Sequence, residues 1–206
     1  MKEKLVSKQR KWFLMILAAA LLTLMAPGLS SRVYAGTASK NKKAAAAYER
    51  KMASIRKKSS FRSSKYADLT GDGVYEFLVA YAPKSGGPEV FSIFTYKSGK
   101  VKCMFSDRIY GLSKLITYKK SKAFIAYTAG HGGENYIYYK KSGSNFKQLG
   151  KRSRIAIAGG GMKNGPWYYY DKKGQSISKT AFNAAVKGVK KGSRKTLKLN
   201  KWKTEY

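Results

Sequence analysis

Nine residues, Asp68-Leu69-Thr70-Gly71-Asp72-Gly73-Val74-Tyr75-Glu76, hold the sharpest chemistry in the sequence. Side-chain oxygens fall at positions 1, 3, 5 and 9 of this run, and Gly73 at position 6 permits a sharp turn. Calcium takes about six to eight hard oxygen ligands, and a loop with acids at alternate positions can wrap one ion. Asp68, Asp72 and Glu76 offer carboxylates, Thr70 a hydroxyl and Val74 its carbonyl. The spacing predicts a structural calcium site made of these five residues. The alternative is an Asx-type turn without metal, in which the neighbouring Lys65 partly neutralises the acids. A calmodulin-type hand is disfavoured. Its twelfth position needs a bidentate acid, and Val79 stands there.

A second candidate site is His131 with Glu134, set among Gly130, Gly132 and Gly133. Glycines there would let a ligand approach the backbone. A single His cannot build a His-rich metal centre, and no Ser or Cys is assignable as its nucleophile. The Gly159-Gly160-Gly161 run lacks the spacing of a phosphate loop. Cys103 lies in an alternating stretch and reads as a buried small hydrophobe.

The elements around these residues are mostly strands. Ala44 to Lys58 reads as a helix with an apolar stripe at Tyr48, Met52 and Ile55. Ser59 to Ser64 reads as a polar break, and Phe77 to Tyr81 as the first strand. Four hairpins are predicted, around Lys97–Lys100, Lys119–Lys122, Ser142–Ser144 and Asp171–Gly174. Their arms are rich in Tyr, Phe, Ile and Val, which suit a pleated, half-buried surface. Ser178 is placed to cap a last helix reaching about Lys191, and Leu197 marks one further edge strand. The expected fold is mainly β: an antiparallel meander, propeller-like or curved, with one N-terminal and one C-terminal helix.

The loop and the strand after it resemble the calcium loops of integrin-type FG-GAP and VCBS repeats, written D-x-[DN]-x-D-G-x-x-[DE]. Asp68, Asp72, Gly73 and Glu76 match; Thr70 departs from the Asp or Asn of the pattern, which implies weaker binding. One copy is present, so a full propeller does not follow. The longer order also resembles small exported proteins of Gram-positive gut anaerobes. It runs from a signal peptide and a basic helix through Tyr66–Gly73 into Glu76–Val79, then Tyr- and Lys-rich hairpins. That resemblance implies an extracellular location and no particular activity.

Charge supplies the rest. The 206 residues carry 43 Lys and Arg against 10 Asp and Glu, with one His and one Cys, a net +33. Residues 1–35 read as a secretory signal peptide. Lys2, Lys4, Lys8, Arg10 and Lys11 precede a 15-residue apolar run, Trp12 to Ala26, interrupted only by Thr23, with cleavage after Ala35. Residues 36–64 then form a disordered basic lead plus the helix, and 65–206 a β-rich domain. Beyond residue 35 remain 37 basic residues and nine acids, a net +28. One Cys rules out an internal disulfide. The expectation is a secreted or wall-associated binding protein of a Gram-positive bacterium. It would be stabilised by Ca2+ and attracted to anionic polymers: teichoic acid, anionic lipid headgroups or host polyanions. The alternatives are a cell-wall hydrolase using His131 and Glu134, and a secreted nucleic-acid binder, for which no known module is present.

Overall fold

The computed structural model describes residues 30–84, 86, 89–130, 132–155 and 165–198. The signal segment up to residue 29, His131, Gly159–Gly161 and the tail beyond Lys198 lie outside the described residues. The chain divides into two units, 1–40 and 41–206, and all the strands belong to the second.

Helix α1 spans Ser30–Lys58. The disordered lead predicted for Gly36–Lys43 is therefore corrected to helix. Beyond Gly36 the segment contains no strong breaker, and Asn41 within it is tied by its side chain to the backbone of Gly73 and Tyr75. The predicted stripe Tyr48, Met52 and Ile55 is buried and, together with Ala44, packs on Phe77, Val79 and Phe94. Helix α1 passes directly into β1 (Ser59–Ala67). Here the predicted polar break is corrected to a strand. It pairs with β2 (Glu76–Pro83) and is an edge, so one side needs no partner strand and its serines are tolerated.

The first sheet has the order β1-β2-β3-β4, with β3 at Val90–Lys97 and β4 at Lys100–Arg108. The second contains β5 (Leu112–Tyr118), β6 (Ala123–Gly130), β7 (Gly133–Ser142) and β8 (Asn145–Ile155). Its outer members are β9 (Tyr168–Asp171) beside β8 and β10 (Arg194–Lys198) beside β5. Every pairing is antiparallel. The meander is thus borne out, split into two sheets with no closed barrel. The fourth hairpin is shorter than expected. Its return arm makes one bridge, Tyr170 to Ser176.

Period-two alternation assigns the faces. Leu78, Ile93, Phe105, Leu115, Phe124 and Tyr139 form the core shared by the two sheets. Phe105 meets Tyr139 at 4.7 Å and Phe124 at 5.5 Å between ring centroids. Phe77 and Val79 face α1 instead. On the far side of the second sheet, helix α2 (Lys179–Ala185) sets Phe182 against Tyr138 and Tyr169. The layers of this unit run helix, sheet, sheet, helix. Ser178 caps α2 as predicted, accepting from the Ala181 N–H. The helix ends six residues before the expected Lys191. Gly188, at φ +84°, lies in the turns that follow it. Among the described residues no helix is long and apolar enough to cross a membrane.

Candidate functional site

The Asp68–Glu76 loop joins β1 to β2 at one end of the first sheet. Gly71 and Gly73 hold φ values of +77° and +82°, which ordinary side chains resist, so the two glycines permit the reversal. Asp68 accepts from the Gly71 N–H (2.6 Å) and the Gly73 N–H (3.2 Å). Asp72 accepts from the Val74 N–H, closing an Asx turn. Glu76 is fully buried. Its two oxygens accept from the Leu69 N–H (2.7 Å) and the Thr70 hydroxyl (3.0 Å). The loop is also held from outside. The Asn41 amide bonds Gly73 O and Tyr75 N at 3.0 Å each, and the Tyr48 hydroxyl donates to Tyr75 O.

Among the described residues one cation is paired with this loop, and it is not the Lys65 expected from the sequence. Lys119, from the β5–β6 turn, places Nζ 2.6 Å from Asp68 Oδ2. Lys65 instead lies in β1, opposite Leu78. Contact between the hairpin turn and the loop links residues 51 positions apart, which no local pattern signals. Glu76 receives two neutral donors. Burial dominates there, and its pKa is pushed up to about 7 despite the lowering effect of those bonds. Among the described residues no three His, Cys, Asp or Glu side chains gather as a metal-holding group. The loop carboxylates are turned to its own N–H groups and to Lys119. Val74 enters the loop through its N–H bond to Asp72. In this arrangement a cation at Asp68 would have to take the place of Lys119.

Glu134, paired in the sequence reading with His131, is a buried structural partner in β7. It binds Arg154 at 2.6 Å and accepts from the Tyr127 hydroxyl at 3.0 Å. Cys103 is exposed, not buried as predicted. A bulge in the β3–β4 pairing sets Phe94 opposite Cys103 and Ile93 opposite Phe105. Met104 and Phe105 then both point inward, and the alternation read from sequence is displaced.

Two further features escaped sequence reading. The first is a cleft of about 370 Å³ where three turns meet, lined by Lys120, Lys122, Lys140, Lys141 and Lys191 without an acid. Its floor is tied by the Ser121 hydroxyl, which bonds the Val189 and Tyr118 carbonyls. Lys141 N bonds Lys122 O, and Lys141 Nζ donates to Gly143 O. The second lies along the later half of β8, beyond the predicted arm Phe146 to Leu149, where Lys151, Arg152 and Arg154 break the apolar alternation. These cations rest on rings: Lys151 on Tyr170, Arg152 on Tyr136 and Trp167, Arg154 on Trp167. Comparison with protein families, with curated proteins and with solved structures finds no match to this chain.

Proposed function

We propose that this is an exported, non-enzymatic binding protein for an anionic polymer of the cell envelope, with polyol-phosphate chains of the teichoic-acid kind as its first ligand. The observation that carries this reading is the five-lysine cleft. Five lysines lining one concavity repel each other, and no acid in its lining neutralises them. A phosphate chain laid in the cleft relieves that repulsion and releases its own counterions. Lysines suit this role because they act as mobile point charges without demanding one geometry, so a repetitive polymer can slide or shift register.

The reading includes a structural role for the Asp68–Glu76 loop, with calcium as the proposed ion. Three carboxylates within nine residues of so basic a chain support it. Lys119 is the competitor, and calcium requires it to leave Asp68. Signal-peptide export is proposed on the charge and apolar pattern of residues 1–35.

The test is calorimetric titration of the protein with polyglycerol phosphate. Binding should weaken steeply as salt rises. Lys120, Lys122, Lys140 and Lys191 changed together to Gln should lose most of the heat. Unchanged affinity in that variant would remove the cleft from the reading. Release of fragments from cell-wall polymers would favour the hydrolase alternative.

A further inference from the structure

Four adjacent strands of the second sheet each place one residue in a single row. Lys114 on β5 stands opposite Tyr127 on β6, Tyr127 opposite Tyr136 on β7, and Tyr136 opposite Arg152 on β8. Strands lie roughly 4.8 Å apart, so the row runs about 14 Å straight across the strands. The side chains touch in the same order. Lys114 Nζ is 4.2 Å from the Tyr127 centroid, and the Tyr127 and Tyr136 rings are 4.9 Å apart. The Arg152 guanidinium lies 4.5 Å from the centroids of both Tyr136 and Trp167.

Arg152 ends this row incompletely satisfied. Its Nε is buried without a hydrogen-bond partner. The acid nearest in register, Glu134, is engaged by Arg154 and Tyr127. A buried donor without an acceptor is costly, and more so on a charged group. Two other cations gather near it. Lys190 is held below its ordinary pKa by burial and by the positive charges of Arg152 and Arg194. Arg152 as a whole is half-buried, so guanidinium N–H groups other than the buried Nε remain to meet a ligand. A guanidinium can take an oxyanion through two parallel bonds. The half-buried Tyr127 and Tyr136 present apolar ring surface beside it.

We propose that the row Lys114–Tyr127–Tyr136–Arg152, closed by Trp167, is a binding strip for an acidic glycan. Arg152 takes a carboxylate or phosphate group of the chain, and the tyrosine rings take the neighbouring sugar. The inference rests on the polyanion reading above and sharpens it, since lysines alone do not select a sugar. Charge complementarity chooses the occupant. The strip pairs ring surface with unneutralised cations, which an uncharged glycan would leave unanswered.

The probe is an oligogalacturonate of about eight units, titrated into the full chain and followed by heat and by the Trp167 indole NMR signal. Arg152→Gln should weaken binding tenfold or more. Arg152→Lys should weaken it nearly as much, because the charge stays and the planar fork is lost. A variant with Lys120, Lys122, Lys140 and Lys191 changed to Gln should keep the Trp167 signal change. Wild-type affinity in Arg152→Lys, or no movement of the Trp167 signal, overturns the strip. Loss confined to the lysine variant overturns the strip and leaves the polymer reading standing. No binding of oligogalacturonate or polyglycerol phosphate by the wild type removes both. Equal competition by a DNA oligonucleotide of the same charge would replace the glycan with nucleic acid. If the Arg152 variants do not fold by circular dichroism, Lys114→Gln decides, with a severalfold loss expected and none overturning the strip.

Discussion

Replacing Glu76 by Gln tests how the loop is held. Glu76 is fully buried and its pKa is pushed from 4.5 to about 7, first by burial. The folded state therefore binds a proton that the unfolded state releases near pH 4.5. Its contribution is fully present below that pH and is lost as pH rises through 7. A gap from 4.5 to about 7 corresponds to roughly 3 kcal/mol, at about 1.4 kcal/mol per pH unit. Gln keeps the shape and is neutral at every pH. Its carbonyl can accept from Leu69 N and its amide can donate to the Thr70 oxygen, replacing both native bonds. The variant should match the wild type at pH 4.5 and exceed it by roughly 3 kcal/mol at pH 8. Urea unfolding of both proteins in calcium-free buffer, at pH 4.5, 6 and 8, reads the difference and cancels the titration of all other groups. A difference that stays flat with pH would refute the argument that this carboxyl is proton-linked. Millimolar calcium adds a second reading. An ion held by these carboxylates should stabilise the wild type at pH 8 and leave Glu76→Gln behind. No such reversal would remove calcium from the loop.

Other substitutions follow from the same contacts. Asn41→Ala strips two bonds from Gly73 O and Tyr75 N and should cost about 1–3 kcal/mol in thermal or urea unfolding. Lys119→Met leaves the Asp68 carboxylate, 7% exposed, without its cation. It should cost roughly 1 kcal/mol without calcium and tighten calcium binding severalfold, as read by calorimetry. Cys103, being exposed, should react with a maleimide in the native protein at a rate close to that of the urea-unfolded chain, and strong native protection would contradict its placement.

The elements legible in sequence were those whose period had a single cause. The stripe of α1, the strong apolar strands and the hairpins at Lys97–Lys100 and Lys119–Lys122 depend on neighbours a few residues away. β1 was not legible because an edge strand can be polar: Ser63 and Ser64 are buried through tertiary contact alone. The start of β8, Phe146 to Leu149, was legible as a hairpin arm; its second half was not, because Arg152 is covered by the rings of Tyr136 and Trp167 and charge stands where an apolar residue was expected. The loop was found by its spacing, yet its cation comes from a hairpin turn distant in the chain. Both basic features depend on three-dimensional gathering. Lys120, Lys140 and Lys191 become neighbours only when turns after β5 and β7 meet the segment after α2.

The scarcity of acids then acquires a structural meaning. Every described acid beyond residue 35 is engaged inside the molecule. Asp68, Asp72 and Glu76 hold their loop. Asp107 accepts from Tyr139, and Asp171 closes its turn through Lys173 N and Gln175 N. Glu49 accepts from Tyr66, Glu89 faces Arg62, and Glu134 holds Arg154. With 37 basic residues against nine acids there, at least 28 cations lack an acid of their own even if every acid took one. The acids are used for local geometry and the surplus of cations is left to solvent. A chain selected only for solubility could balance its signs and keep a modest net charge. Five lysines lining a cleft with no acid, and an arginine beside two rings with Nε unanswered, support the proposal that the neutralising charge comes from a ligand. The protein's stability should therefore rise when a polyanion is added, by mass action on the folded state. A melting temperature unmoved by polyglycerol phosphate and by oligogalacturonate would show that the surplus charge has no such partner.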